Sequence, residues 1–218
     1  MQIITKIKKT QYMKKILMVI LTLMPLTLWA QANTWERPEE DETEKAAQKQ
    51  ANTDEKYLKG AVPEIDGKVV FSKTIEAPGK SAEEIYAIVS KYMDKMTKEK
   101  NQIHSLLLTD EAKKNEVVGH FEEWLVFKSN IIMLDQTRLY YILTAQCENG
   151  KVDLTMSRVQ YLYEENRNPQ RIKAEGWITD KEAVNKKNTK LYPLSGKFRR
   201  KTIDRKDFIF NKIESLLK

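Results

Sequence analysis

The run Leu134 to Tyr163, LDQTRLYYILTAQCENGKVDLTMSRVQYLY, decides the fold. Two stretches of period-2 alternation flank Glu148-Asn149-Gly150-Lys151. An Asn-Gly pair in that setting is the strongest short-range hairpin signal, because a type I′ turn needs positive φ at both central residues. The turn sets a register in which Cys147 faces Val152, Ala145 faces Leu154 and Leu143 faces Met156, so one face is continuously apolar near the turn. The opposite face pairs Gln146 with Asp153 and Thr144 with Thr155, then turns apolar and aromatic with Ile142, Tyr140, Val159, Tyr161 and Tyr163. The second arm changes phase between Met156 and Val159, which a bulge near Ser157-Arg158, or a change in the face that is covered, would produce.

Elements fall into place on either side of this hairpin. Lys68 to Glu76 alternates as a first strand and stops at Pro78-Gly79. Ser81-Ala82-Glu83-Glu84 has the form of a capping box, and Ile85, Ile88, Val89, Tyr92, Met93 and Met96 then recur at helical spacing on one face. Ile103 to Thr109 and Val117 to Lys128 read as two strands separated by a charged loop; in the second, Phe121, Glu123, Leu125 and Phe127 share one face and His120, Glu122, Trp124 and Val126 the other. Past Asn168-Pro169, Thr179-Asp180-Lys181-Glu182 offers a capping box for a short helix ending near Asn188, and a last helix runs from about Thr202 to Leu217 with Ile203, Phe210, Ile213 and Leu217 on its stripe, widened by Ile209 and Leu216. The order is β-α-β-β-β-β-α. This is an α+β order, in which the inward residues of the hairpin are the natural partners for the stripes of both helices.

The start of the chain reads differently. Residues 1 to 32 hold five lysines and no acid, an apolar run from Ile16 to Trp29, and Ala30-Gln31-Ala32 as a small-residue cleavage site, the pattern of a signal peptide. Met13-Lys14-Lys15 is an alternative beginning for it. The apolar run is short for a membrane span, so no stable span is expected after cleavage, and the protein is expected to be periplasmic or secreted. Residues 33 to 62 carry eight acids against five bases with little hydrophobic periodicity, a composition that buries too little to offset its ordering entropy. They read as a flexible polar linker, with the α+β domain spanning 63 to 218.

Charge and composition exclude several functions. The chain carries a formal net charge of +7, yet removing the first 32 residues leaves 33 basic against 31 acidic side chains, so nucleic acid is not an expected partner. The seven glycines stand singly, at 60, 67, 79, 119, 150, 176 and 196, so no phosphate-cradling loop exists. His120 and Glu122 share a strand face but would need a third ligand to hold a metal; no metal or other cofactor is expected. Cys147, the single cysteine, sits at an inward strand position and reads as a small buried hydrophobe.

Two groups of residues stand out as candidate contacts. Twelve bases against four acids occupy residues 181 to 218 and concentrate at Lys197, Arg199, Arg200 and Lys201. Such a run is a solvated surface, a patch for phosphates, acidic glycans or lipid head groups, or a set of structural pairs with acids of the linker or the first helix. The second group is Arg138, Tyr140, Ile142, Val159, Tyr161 and Tyr163, on the hairpin face that the helices leave. There an ordinary solvated sheet carries polar residues, and a tyrosine-rich patch offers contact area with polar tips. Either that face is open or residues 164 to 194 fold back over it.

A resemblance accompanies this reading. Val62-Pro63-Glu64-Ile65-Asp66-Gly67-Lys68-Val69-Val70-Phe71, Asp135-Gln136-Thr137-Arg138-Leu139-Tyr140-Tyr141, Met156-Ser157-Arg158 and Ser195-Gly196-Lys197-Phe198-Arg199-Arg200-Lys201-Thr202-Ile203-Asp204 together resemble a secreted domain of unknown function with a TATA-binding-protein-like fold, found in gut-dwelling Gram-negative anaerobes. The resemblance covers most of residues 63 to 218 and implies a single antiparallel sheet with two helices on one face. It implies no reaction, and fold alone transfers no DNA binding. The expected function is an exported, non-enzymatic binding module of the cell envelope whose partner is an envelope protein or an anionic glycan. The alternatives are an assembly protein forming homodimers or larger homo-oligomers, and a hydrolase with an unrecognised site.

Overall fold

The computed structural model describes residues 54–108, 115–129, 134–165 and 167–218. The signal peptide expected at 1–32 and residues 33–53 of the expected linker lie outside them. The elements in chain order are β1 (Glu64–Ile65), β2 (Lys68–Val69), β3 (Phe71–Glu76), α1 (Ala82–Thr97), β4 (Leu106–Leu108), β5 (Glu116–Ser129), β6 (Leu134–Glu148), β7 (Lys151–Tyr163), β8 (Gln170–Lys173), α2 (Asp180–Ala183) and α3 (Pro193–Leu217), with single 3₁₀ turns at Glu55–Tyr57 and Ala174–Gly176. Strands β3, β7, β6, β5 and β4 form an antiparallel sheet in that order, and β8 joins it beside β7. The expected first strand is divided. β1 and β2 make a separate two-stranded ribbon about Asp66-Gly67, both at positive φ, and β3 enters the sheet.

The hairpin register is the expected one: Cys147 pairs with Val152, Ala145 with Leu154 and Leu143 with Met156. The turn is not type I′, since only Gly150 takes positive φ, at 80°. The reason is docking. The Asn149 carboxamide oxygen accepts from the Ala82 amide at 2.9 Å, the Gly150 amide donates to the Lys80 carbonyl at 2.9 Å, and Ala77 donates back to Gly150 at 2.7 Å. The hairpin tip thereby caps the start of α1 from outside. Within α1 the capping box is complete, with the Glu84 amide donating to the Ser81 hydroxyl at 3.2 Å and the Ser81 amide to the Glu84 carboxylate at 2.7 Å.

Both long helices cover the same side of the sheet, which we call the inner face. Ile85, Val89, Tyr92, Met93 and Met96 of α1 and Phe198, Ile203, Ile209, Phe210, Ile213 and Leu217 of α3 are buried against Phe121, Leu125, Leu139, Tyr141, Leu143, Leu154 and Met156. Leu216 stays exposed. Each fully buried side chain of this size stabilises by about 1.5–3 kcal/mol relative to exposure. A polar tie crosses this core. Arg205 of α3 donates through Nε and Nη2 to Glu123 of β5 at 2.8 and 2.7 Å, and Asn101 and Gln102 donate to the same carboxylate.

Three expectations are corrected here, and the bulge expected near Ser157-Arg158 is present. The last helix begins at Pro193 rather than near Thr202, so the basic run Lys197 to Lys201 is helical. The short helix after Thr179 covers only Asp180–Ala183, and the Thr179 hydroxyl makes no cap, donating instead to the Glu175 carbonyl at 3.3 Å. The domain starts upstream of Pro63: residues 54–62 are pinned to α3, with the Tyr57 hydroxyl on Asp204 at 2.8 Å and Val62 buried in the core. The phase change in β7 is a bulge, because Tyr140 pairs with Gln160 while Ile142 pairs with Ser157. Arg158 absorbs it at a φ of 53°. One extra residue restores Val159, Tyr161 and Tyr163 to the inner face that Val152, Leu154 and Met156 already occupy.

Candidate functional site

The sheet registers specify what the outer face carries. Its rows, running from β4 toward β3 and β8, read Leu108, Val118, Thr144, Thr155; then Leu106, His120, Ile142, Ser157; then Glu122, Tyr140, Gln160, Lys173; then Trp124, Arg138, Leu162, Arg171. Tyr140, Ile142, Trp124, Arg138 and Leu162 are all half-buried. Residues 164–194 do not fold over this face as a layer. Instead β8 extends the sheet, and Ala174, Ile178, Ala183 and Val184 are buried.

Arg138 organises the last two rows. Its Nε and Nη2 bond the two oxygens of Glu165 at 2.6 and 2.5 Å, and its Nη1 bonds Glu122 at 2.7 Å. Its guanidinium carbon lies 5.2 Å from the Trp124 ring centroid, and that of Arg171 lies 5.1 Å from the Tyr140 ring. These carboxylates raise the Arg138 pKa further. Partial burial works against the charged form of Glu122, but hydrogen bonds from Arg138 and Tyr140 outweigh it and hold the carboxyl below its ordinary range. Burial, with Glu122 beside it, pushes the Tyr140 phenol up. The result is a fixed, charge-balanced frame around an indole and a phenol. Beside it lies a groove of about 480 Å³ lined by Trp124, Leu134, Gln136, Leu162, Tyr163 and Glu165 among others.

The eight residues expected to bind divide unevenly. Arg138 and Tyr140 are on the outer face. Tyr161 is not: it is fully buried, its hydroxyl lies 2.7 Å from the Thr202 hydroxyl, and its ring meets Phe198 edge-on at 5.0 Å. Tyr163 also turns inward, at 5.2 Å from Phe198, although its edge reaches the groove.

The expected basic patch is largely engaged by groups of the same chain. Arg199 is fully buried and donates to the carbonyls of Tyr57, Leu58 and Ile178 at 2.6, 2.7 and 2.6 Å and to Asp180 at 2.6 Å. Arg200 pairs with Asp54 at 2.7 Å. Lys197 bonds Asp135 at 2.6 Å and the Tyr163 hydroxyl at 2.9 Å, with its ammonium 4.6 Å from each of the Phe127 and Tyr163 ring centroids. Lys201 is half-buried, and burial pushes its ammonium pKa down against the pull of Asp204. The arginines are structural pairs, one of the three readings of this stretch.

The residues the sequence reading missed are Trp124, Leu162, Glu165 and Arg171. Trp124 was already on the face of His120 and Glu122, but Leu162 joins it only once the bulge is counted.

A family described as a domain of unknown function (DUF4468) with TBP-like fold matches residues 71–162, from the start of β3 to the last residue but one of β7. A crystal structure of a DUF4468 family protein from Bacteroides ovatus is 42% identical over 75% of this chain and 94% of that one, with a TM-score of 0.69. The chain belongs to the DUF4468 family. A TBP-like protein from Parabacteroides distasonis, 18% identical over 72% of this chain and 96% of that one with a TM-score of 0.57, shares the fold. No curated protein sequence matches. This DUF4468 chain therefore has the α+β, TBP-like fold, with an antiparallel sheet whose outer face carries the Trp124 and Arg138 frame. Among its described residues no helix is long and apolar enough to cross a membrane.

Proposed function

We propose that this DUF4468 protein is an exported, non-enzymatic binding module of the cell envelope that holds a protein partner on the outer face of its sheet, around Trp124, Arg138, Tyr140 and Leu162. The observation that carries the reading is the Arg138 frame. Three charge-assisted bonds and an indole contact hold half-exposed aromatic and apolar side chains rigid, on the side of an antiparallel sheet that normally carries solvated residues. Pre-organised aromatic area next to a satisfied arginine is the composition of binding hot spots. Two groove carboxylates are already engaged, Asp135 by Lys197 and Glu165 by Arg138, which favours recognition over acid–base chemistry. An anionic glycan has less support, because Lys197, Arg199 and Arg200 are each bonded to a carboxylate of the same chain. Export rests on the lysine-rich start, the apolar run and Ala30-Gln31-Ala32.

The test is site-specific photocrosslinking in the host cell, using the full chain. A photoreactive residue at Tyr140 should give one discrete protein adduct that disappears when Trp124→Ser and Leu162→Ser are added. The same group at Glu83, exposed on α1, should give none. An identical adduct from Glu83, or none from Tyr140, refutes the binding face. Recovery of the chain in the cytoplasm with residues 1–32 attached refutes export.

A further inference from the structure

The geometry points to the β4 edge as a self-association site, at which a second copy of this chain pairs antiparallel with Leu106-Leu107-Leu108 and joins the two sheets into one. This is a different surface from the Trp124 end of the outer face.

The argument begins with how the two sheet edges differ. Open edges present unpaired backbone groups that recruit other strands, and proteins blunt them with charges, bulges or covering elements. The edge beside β7 is guarded in this way. Strand β3 carries Lys73, held by Glu214 at 2.6 Å, together with Glu76, and β8 reads Gln170-Arg171-Ile172-Lys173. Among the described residues the β4 edge has no charge and no covering element: it is hydrogen-bonded on one side only, to β5, and Ser105 to Leu108 include no charge and no proline. Leu106 and Leu108 are 49% and 44% exposed on the outer face, beside His120 and Val118 of β5, with Ile142 one strand further on.

The occupant follows from self-complementarity. A two-fold interface must match its own surface. Antiparallel pairing centred on Leu107 sets Leu106 of one copy against Leu108 of the other on the outer face, and Leu107 against its counterpart on the inner face. No like charges meet in this register, whereas two copies of β8 would bring arginine and lysine together. A heterologous strand with charges would gain nothing from an edge that has none to complement. Three residues make a small contact, well below the roughly 1,200 Å² of stable complexes, so the pairing is reversible and concentration-dependent.

Sedimentation equilibrium of the chain should report the monomer mass at about 5 µM and a rise toward twice that mass by about 500 µM, the behaviour of a contact in the weak size class. Leu106→Lys with Leu108→Lys should remain monomeric throughout, and so should Leu106→Glu with Leu108→Glu. Mixing those two variants should restore the doubled mass, because the antiparallel register brings each introduced lysine opposite an introduced glutamate. Amide exchange at Leu106 to Leu108 should slow as the wild type is concentrated. A monomer mass at every concentration overturns the inference. So does a dimer that both double variants leave intact, or a mixture that stays monomeric. Trp124→Ser with Leu162→Ser should leave the association unchanged, which separates this outcome from failure of the partner-binding face.

Discussion

Replacing Arg199 by alanine should destabilise the domain by about 2–5 kcal/mol, the cost of emptying a fully buried side-chain site and leaving its carbonyl partners unpaired. Arg199 makes four bonds of 2.6–2.7 Å, three of them to backbone carbonyls on two separate segments. At roughly 1.5–3 kcal/mol for each charge-assisted bond, simple addition would exceed that figure. The Tyr57 and Leu58 carbonyls recover part of it by turning to water when their segment lifts, whereas the Ile178 carbonyl belongs to a fully buried residue. The loss is a large share of the roughly 5–15 kcal/mol that holds a domain together. Urea denaturation should show the midpoint falling with the slope unchanged. Hydrogen exchange should show residues 54–62 released before the sheet. Arg200→Ala, which removes a half-exposed pair, should cost about 0–1 kcal/mol. A midpoint for Arg199→Ala indistinguishable from that of the native chain would refute the structural role and restore these arginines to the surface.

Three further outcomes are expected. Burial pushes the Cys147 thiol up to about 11, so thiol reagents should label the folded protein slowly at neutral pH, and Cys147→Ser should cost about 1–2 kcal/mol in urea denaturation. Hydrogen bonding from Arg200 holds the Asp54 carboxyl below its ordinary value; its contribution to docking residues 54–62 is present above the unfolded pKa and lost as pH falls through the lowered one. Proteolysis in that segment should therefore rise at acid pH, and Asp54→Asn should remove this pH dependence. Arg205→Met, which strands the buried Glu123 carboxylate, should cost about 3–5 kcal/mol; adding Glu123→Gln should recover part of that in a double-mutant cycle, since a neutral side chain still serves Asn101 and Gln102.

Local signals made the hairpin legible. Period-2 alternation and a Gly-containing turn specify pairing without reference to anything distant, and every pair named near the turn is present. Ser81 to Glu84 is local in the same sense. What escaped depended on partners far along the chain. Lys197, Arg199 and Arg200 look like a solvated patch because their counterions, Asp135, Asp180 and Asp54, lie 62, 19 and 146 residues away. For the same reason the first turns of α3 lacked an apolar stripe, and residues 54–62 looked too polar to pack. The β7 bulge had a visible signature in its phase change. Its consequence, that both phases face inward, follows only when the extra residue is counted into the register.

The placement of charge determines what the outer face can recognise. Once Lys197, Arg199, Arg200 and Arg205 are engaged by Asp135, Asp180, Asp54 and Glu123, the inner side of the domain is closed by its own ion pairs. The outer face then has two dissimilar ends. Leu106, Leu108, Val118 and Ile142, with His120 among them, form a mostly apolar corner at β4, while Trp124, Arg138, Leu162 and Arg171 form an aromatic and ionic row at the other end, with Glu122, Tyr140, Gln160 and Lys173 between them. An uncharged strand edge suits a copy of itself. An indole braced by a satisfied arginine suits a partner with its own apolar anchor, because desolvating a charge that is already paired costs less than desolvating a free one. Pairing through β4 uses one end and leaves the other open on both copies, so a dimer would present two identical partner sites on one continuous sheet.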